Sequence, residues 1–492
     1  MIEVERKYTV DAEFELPELA RPGWTVEAPH EIELHATYYD TADLRLARAH
    51  ITLRRRLGGK DAGWHLKLPL GRERDETQRP TGRAGTVPKA LAELVIARTR
   101  GEALVPVAQI DTTRGVTTIR ADDGTPLLEV ADDRVRARRL VDGVSSSWRE
   151  VEVEQLTPGH AKAMAKVGRA LCRAGAAPSA SRSKLGQTLG TSDDTPPAPD
   201  DSAAFVVTDY FTRQVRDLLE ADPGVRQGDG EAVHAMRVAS RRLRSALRTF
   251  APLLDDDRLA DLTDELSWLA AALGEVRDRD VLGTRMLDQL DTLPARLATD
   301  AVRSRLLQDE LAASGRRAHL ALLRTLRGPR YLALLDRLDD LAGAPPLTPA
   351  ADVPAAEALP PLAATAWRRF SKRAEAAIAS GLDDDLHACR KAAKQARYAA
   401  EALSPALGRP AEKLARRAKA VQTLLGEHQD AVVASTMLQR LADDDQHAFA
   451  YGILWAAEQQ RAKACADEFV DLWASVKPAG RRALTRLHGR AA

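Results

Sequence analysis

The period of the hydrophobic pattern changes once along this 492-residue chain, and that change limits what the chain can fold into. Through residue 187, apolar and polar residues alternate in short runs: 2–8, 51–56, 64–68, 116–119, 127–131 and 148–156. Gly58-Gly59, Asp123-Gly124 and Asp142-Gly143 punctuate them, which reads as strands joined by turns. One helical pattern, 161–174, lies among them. From residue 204 onward strand signals vanish, and Leu and Ala recur at helical spacing, as in 259–273 and 414–425. Between the two textures, 188–203 is rich in Thr, Asp and Pro with almost nothing to bury. The chain is therefore expected to be an α+β multidomain protein: strand-rich 1–190, a linker at 191–203, and an all-α region at 204–490. Aromatics make up only 4% of residues, so the cores must be built from Leu, Ala and Val.

The helical region looks duplicated. His234, Arg237, Arg241 and Arg244 recur as His387, Arg390, Lys394 and Arg397, at a constant offset of 153. Leu273-Gly274-Glu275 with Asp278 recurs as Leu425-Gly426-Glu427 with Asp430, at an offset of 152. An offset that holds over two separated motifs indicates an internal repeat. A Pro-rich stretch at 344–361 divides the copies, giving two bundle-like subdomains at about 204–343 and 362–490.

Charge excludes some classes of function. Lys and Arg number 72 against 71 Asp and Glu, and splitting the chain at residue 200 leaves both parts balanced. Any anion-binding surface must come from local sorting of charge. Every stretch long enough to span a bilayer carries charges, so a membrane span is not expected. Cys172, Cys389 and Cys465 lie far apart and show no metal spacing, which speaks against a disulfide scaffold or a zinc module. With a charged N-terminus unlike a signal peptide, they point to a reducing cytoplasm.

In the first region the charges themselves alternate. Glu3, Glu5 and Lys7 share one strand face, as do Arg54 and Arg56, His65 and Lys67, Glu129 and Asp133, and Glu150, Glu152 and Glu154. A single such strand would be a solvated face. Repeated ladders of like charge gain little on an open sheet. A closed barrel with a wet interior gives them a use, with carboxylates for divalent cations and Arg and Lys for phosphates. Arg55 faces the other way by parity and is expected at the surface, and His65 is expected to be a bystander.

These residues resemble the CYTH family, the triphosphate tunnel metalloenzymes. Glu3-Val4-Glu5-Arg6-Lys7 is similar to its ExExK signature, and four segments follow in the family's order: Tyr38-Tyr39-Asp40-Thr41, Leu53-Arg54-Arg55-Arg56, Trp64-His65-Leu66-Lys67-Leu68-Pro69 and Trp148-Arg149-Glu150-Val151-Glu152-Val153-Glu154. Ser183-Lys184 is similar to its late Ser-Lys. The resemblance covers about residues 1–190. It implies an eight-stranded antiparallel tunnel. It implies Glu3, Glu5, Glu150, Glu152 and Glu154 as ligands of Mg²⁺ or Mn²⁺, with Glu3, Glu5, Lys7, Glu152 and Glu154 at the chemistry. Lys7, Arg54, Arg56, Lys67, Arg114 and Lys184 would grip the triphosphate, with Glu76, Glu129 and Asp133 as further members. The implied reaction is hydrolysis of inorganic triphosphate. Adenylate cyclase, thiamine triphosphatase and a vestigial, merely binding tunnel stay open.

In the second region His234, Arg237, Arg241, Arg244 and Arg248 step by 3, 4, 3 and 4, one stripe of a helix, with Arg242 beside it. No acid lies between Val233 and Leu254. Such a stripe repels itself unless an anion arrives. His387, Arg390, Lys394 and Arg397 repeat it, with Lys391 beside them and Glu401 in place of the last Arg. Nucleic acid is the rival ligand, but the region is neutral overall and no aromatics are interleaved for base stacking. A phosphate polymer without bases fits better. The region resembles the CHAD domain through the spacing of His234, Arg237, Arg241 and Arg244 and through Leu273-Gly274-x-x-Arg277-Asp278-x-Asp280-Val281. The second copy has Gln429 where Arg277 stands. The resemblance implies binding of long-chain inorganic polyphosphate, association with polyphosphate granules, and a structural role for Asp278 and Asp430 beside the Arg stripes.

Overall fold

The computed structural model describes residues 2–70, 73–83, 85–181, 183–190, 200–255, 259, 261–294, 296–304, 313–443 and 448–488. The chain divides into two compact units, Met1–Pro197 and Ala198–Ala492.

The first unit is a closed antiparallel barrel. Its strands are β1 (Ile2–Glu3), β2 (Glu5–Val10), β3 (Trp24–Val26), β4 (His30–Asp40), β5 (Thr52–Leu57), β6 (Gly63–Leu70), β7 (Glu73–Arg79), β8 (Val105–Ala121), β9 (Pro126–Arg139), β10 (Ser145–Gln155) and β11 (Ala177–Pro178). They pair in the order β1-β7-β6-β5-β4-β8-β9-β10-β2-β11, with β3 on β8. β1 and β2 are one strand interrupted at Val4, pairing with β7 on one side and β10 on the other, which closes the ring. Counting them together gives eight staves, as expected, and β3 and β11 are short additions. The runs 116–119 and 127–131 are parts of longer strands, β8 and β9.

Alternation sorts the two faces. Outside, Val151 and Val153 join Tyr8, Val10, Leu128 and Val130 beneath Met164, Val167 and Leu171 of α4 (Ala161–Arg173). Leu53, Trp64, Leu66 and Leu68 likewise lie beneath Leu91 and Leu94 of α2 (Lys89–Leu94), which follows α1 (Arg45–Arg48) and precedes α3 (Ile96–Thr99). Burying each such side chain stabilises the barrel by about 1.5–3 kcal/mol. These apolar faces leave the intervening charged residues no direction but inward.

Two local devices support the barrel. Asp40, fully buried, accepts hydrogen bonds from the backbone N–H groups of Thr41, Leu46 and Ala47 at 2.7–2.8 Å, which turns the chain from β4 into α1. The Tyr-Tyr-Asp-Thr segment is thus a structural corner. A short helix, α5 (Lys184–Leu189), is capped by the Ser183 hydroxyl, which accepts from Gly186 N at 3.0 Å. The stretch from residue 188 was expected to have almost nothing to bury, but Thr188 and Leu189 are buried in α5, because Leu189 packs with Leu185 on Ala108, Ile110, Val135 and Ala137. Residues 191–199 of that linker lie outside the described residues.

The second unit is helical, with no strand beyond isolated bridges among its described residues. Its helices are α6 (Ala203–Gln227), α7 (Gly230–Phe250), α8 (Leu262–Leu290), α9 (Asp300–Ser304), α10 (Ala313–Arg327), α11 (Pro329–Gly343), α12 (Ala355–Ala358), α13 (Pro360–Ser380), α14 (Asp383–Leu407), α15 (Arg409–Asp443) and α16 (Ala448–His488). The pattern seen at 259–273 becomes helical only from Leu262. The duplication is visible in the chain path. α6 hairpins into α7 through Gly228 at φ 86°, and α13 hairpins into α14 through Gly381 at φ 63°, again 153 residues apart. A left-handed residue after each helix end favours Gly at both places. The copies share a core: Met286, Leu290 and Val302 pack with Ala434, Leu438, Tyr451 and Leu454.

Candidate active site and anion cradle

The barrel interior follows from the registers. Glu152 stands opposite Lys7, Glu154 opposite Glu5, and Glu150 opposite both Thr9 and Asp133. Asp133 stands opposite Arg114, Arg54 opposite both Tyr38 and His65, and Lys67 opposite Glu76. Cross-strand partners share a face, so all of these look into the lumen. In the ring order β5 and β6 lie across from β9 and β10. One wall therefore carries carboxylates and the other carries Arg54, Arg56 and Lys67.

On the acidic wall, ligand oxygens of Asp133, Glu150 and Glu152 lie within 4.8 Å of one another, all three residues buried. Three cations meet them. Arg114 holds Asp133 through two hydrogen bonds of 2.7 Å and reaches Glu152 at 2.6 Å. Lys7 Nζ lies 2.7 Å from Glu152 and 3.7 Å from Glu5. Lys184, at the start of α5, places Nζ 2.8 Å from Asp133, 2.6 Å from Glu150 and 2.8 Å from Glu152. Trp148 Nε1 donates to Glu150 at 2.7 Å. Burial opposes ionisation of Glu152, but Lys184, Lys7 and Arg114 outweigh it and hold its pKa well below the usual carboxylate range. Burial likewise opposes the charge on Lys184, and Glu152, Asp133 and Glu150 outweigh it and raise its pKa.

On the basic wall, Arg54 Nη1 donates to the Tyr38 hydroxyl at 3.3 Å. Arg56 pairs with Asp61 of the β5–β6 connection. Burial, then Arg54 and Arg114, lower the Arg56 pKa to about 10. Lys67 lies 3.6 Å from Glu76. Burial would raise the Glu76 pKa, but His65, Lys67 and Arg54 bring it to about 2. Both His65 nitrogens are engaged, Nδ1 with Glu76 at 2.5 Å and Nε2 with the Asp61 carbonyl at 2.8 Å. It is a buried strut, and burial lowers its pKa. Arg55 points to the other face and donates to the Thr81 carbonyl at 3.2 Å.

In the helical unit the two stripes converge. Arg241 of α7 donates to the Tyr398 hydroxyl of α14 at 3.0 Å, and Arg242 pairs with Glu401 at 3.3 Å. Lys394 lies between the copies: burial, then Arg390, Arg241 and Arg237, lower its pKa to about 7. The repeated glycines have a reason. A Cβ on Gly274 would stand 3.4 Å from Arg237 Nη2, and one on Gly426 would stand 3.3 Å from Arg390 Nη2. Each glycine seats the equivalent arginine of its copy. Arg390 also lies 3.8 Å from Asp430. Further along, Arg244 donates to Ser267 at 2.8 Å and Arg397 pairs with Glu401 at 2.5 Å, whereas Arg248 is exposed. Burial, with Arg277 beside His234 and Lys391 beside His387, lowers the pKa of both histidines.

Residues 1–174 match the CYTH domain and residues 209–439 match the CHAD domain. An uncharacterized protein of Mycobacterium tuberculosis is 36% identical over 503 residues, covering 95% of this chain and 94% of its own. The chain belongs to the proteins that join a CYTH domain to a CHAD domain. Among solved structures, PptA from Streptomyces chartreusis is 27% identical and covers 56% of this chain and 99% of its own, with a TM-score of 0.47. The CHAD domain of the plant Ricinus communis is 25% identical and covers 57% of this chain and 95% of its own, with a TM-score of 0.46. CYTH domains are the tunnels of metal-dependent enzymes that act on triphosphates. Three buried carboxylates are hard oxygen donors suited to a divalent cation, and the lysine ammonium among them shows that the pocket requires positive charge.

Within the CYTH unit, Lys7, Arg54, Arg56, Lys67, Arg114, Glu150, Glu152 and Lys184 all reach the lumen. Of the expected ligands, Glu150 and Glu152 lie in the tight carboxylate group and the further member Asp133 joins them, whereas Glu5 and Glu154 stand level with each other outside it. Strand parity alone could not show this, because it leaves open which rungs of β9 and β10 lie level. The Glu3 side chain lies outside the described side chains, although its backbone pairs with Arg74. The side chains of Asp278, Asp280 and Val281 in the CHAD unit also lie outside them. Sequence reasoning missed Asp61 as the partner of Arg56 and Tyr398 as the partner of Arg241. Among the described residues no helix is long and apolar enough to cross a membrane.

Proposed function

We propose that the CYTH unit hydrolyses a short inorganic polyphosphate, most simply triphosphate to pyrophosphate and phosphate, and that the CHAD unit binds long-chain polyphosphate. The observation that carries this reading is the division of the lumen into a carboxylate wall and a cation wall. Arg54, Arg56 and Lys67 present planar forks and an ammonium to a linear polyanion, and Lys7 and Arg114 flank it. Asp133, Glu150 and Glu152 would hold Mg²⁺ or Mn²⁺, which when bound neutralises charge developing on the leaving phosphate. Glu152 stays ionised at any working pH, so its part is to hold charge rather than carry a proton. The cations on both walls stabilise the leaving pyrophosphate electrostatically. The charged residues on both walls of the lumen favour an inorganic phosphate over a nucleotide there, and the overall charge balance of the helical region favours polyphosphate over nucleic acid in the cradle.

In the CHAD unit, one cradle between α7 and α14 replaces two separate stripes, so a single polyphosphate chain would meet Arg237, Arg241, Arg390 and Lys394 together. Phosphate release from triphosphate, thiamine triphosphate and ATP, each with Mg²⁺ and Mn²⁺, tests the first half of the reading. Release from inorganic triphosphate is expected to lead. Preferential release from either organic triphosphate would assign the tunnel to that substrate.

A further inference from the structure

The acidic pocket of the barrel already has a cation in it. Lys184 Nζ lies within 2.8 Å of a carboxylate oxygen of Asp133, of Glu150 and of Glu152. No other cation among the described residues touches all three; Arg114 reaches two and Lys7 reaches one. Lys184 is also the first residue of a six-residue helix whose Leu185 and Leu189 pack on Ala108, Ile110, Val135 and Ala137. The residues alternating with them, Gln109, Asp111, Arg136 and Arg138, take the outer face, so α5 lies on an apolar part of the inner face and aims its first side chain at Asp133, Glu150 and Glu152.

Charge arithmetic makes this arrangement exclusive. The three carboxylates meet three cations, Lys7, Arg114 and Lys184, and Lys7 also lies 3.7 Å from Glu5, so the negative charge of the pocket is largely offset. A divalent cation added while all three cations stay would leave excess positive charge in a buried site, where uncompensated charge is costly. Removing one lysine ammonium restores most of the attraction and vacates the space between the three oxygens.

We propose that Lys184 is the resident counter-cation of the Asp133, Glu150 and Glu152 pocket, and that a divalent cation enters only by displacing its ammonium. This rests on the reading of the pocket as a metal site. It makes Lys184 a competitor of the metal in the empty tunnel, and so a positioning residue that keeps the carboxylates ionised and ordered until the metal arrives.

Two measurements on the full-length chain test it. Manganese binding is followed by the loss of the free Mn²⁺ resonance, in wild type, Lys184→Met and Lys67→Met. Lys184→Met is expected to bind Mn²⁺ at least about tenfold more tightly than wild type, because one buried positive charge within 3 Å of the ligands is gone. Lys67→Met, on the other wall, is expected to bind as wild type does. Lysine acetylation of wild type read by mass spectrometry does not depend on the variant folding. Lys184 is expected to be protected without metal and to become labelled severalfold faster with Mn²⁺. If wild type binds Mn²⁺ while Lys184 stays protected and Lys184→Met binds no more tightly, the proposal is overturned and the metal site stands. If neither wild type nor Lys184→Met binds Mn²⁺, the metal site itself falls, and the proposal falls with it.

Discussion

Arg241 donates to the hydroxyl of Tyr398 over 3.0 Å, so helices from the two halves of an internal duplication meet on one basic face. Two stripes that would each repel themselves become a single cradle. Its cations are held by Gly274, Gly426, Tyr398 and Glu401 in place for an anion.

Charge reversal in the cradle is expected to separate the two proposed activities. Arg237→Glu with Arg241→Glu is expected to abolish binding of long-chain polyphosphate, while phosphate release from triphosphate by the same protein stays within about twofold. Wild-type binding is expected to weaken steeply with salt, because each phosphate contact releases counterions. A salt titration of labelled polyphosphate, with duplex DNA as competitor, checks this. Displacement by DNA at equal phosphate concentration would make the cradle a nucleic-acid site.

Polyphosphate binding is expected to tighten as pH falls from about 8 to 6. Burial, then Arg390, Arg241 and Arg237, hold Lys394 at about 7 against an ordinary 10.5, so the group gains its charge on the acid side of neutrality. Asp430 also acts on Lys394, in the opposite sense. The sign for stability is reversed. Between about 7 and 10.5 the unfolded chain binds the proton and the folded chain does not, so the ligand-free protein should gain stability as pH rises through that window. Lys394→Met is expected to flatten both dependences. Affinity and thermal unfolding measured at pH 6, 7, 8 and 9 report on both.

Much of this organisation is legible in the sequence. The alternation Val151, Glu152, Val153 needs only one packed face to send Glu152 inward, and the buried core under α4 supplies it. The offset of 153 between His234 and His387 reappears in the hairpin glycines Gly228 and Gly381. Contacts set by register, or by segments distant in sequence, are not legible. Asp133 joins the pocket because β9 and β10 pair at Glu150, and Lys184 joins it because α5 lies on the inner face of β8 and β9. Parity assigns a residue to a face but says nothing of its level along the barrel. That the two stripes form one cradle is likewise not legible, because no feature of either helix states that α7 and α14 meet.

Arg54→Ala is expected to raise KM for triphosphate and lower kcat together, each by about tenfold. The guanidinium meets the polyanion in the ground state and in the transition state alike. Arg54 holds the Tyr38 hydroxyl through one long hydrogen bond of 3.3 Å, so thermal stability should change little. A loss of stability with unchanged kinetics would make it a structural residue.

Gly168→Ala tests the outer packing of the barrel. Helix propensity alone favours Ala in α4 by about 1 kcal/mol. The Tyr8 hydroxyl, however, lies where the new methyl group would go, and Tyr8 is buried on β2. Overpacking of this kind costs about 1–3 kcal/mol, so the net effect is expected to be destabilising. Thermal or urea unfolding of the full chain gives the sign.

The central claim is that the lumen hydrolyses triphosphate through its carboxylate wall. The most direct measurement is phosphate release from inorganic triphosphate, with Mg²⁺ and with Mn²⁺, by wild type and Glu152→Gln at matched folded fractions. Glu152 meets Lys7, Arg114 and Lys184 on the inner face of the barrel, and Gln keeps its size while removing its charge. Wild type is expected to release phosphate in a metal-dependent way, and Glu152→Gln is expected to fall by at least about a hundredfold, the cost of losing one pre-organised charge at the reacting centre. Equal release by the two proteins, or release by wild type that does not depend on metal, would contradict the account.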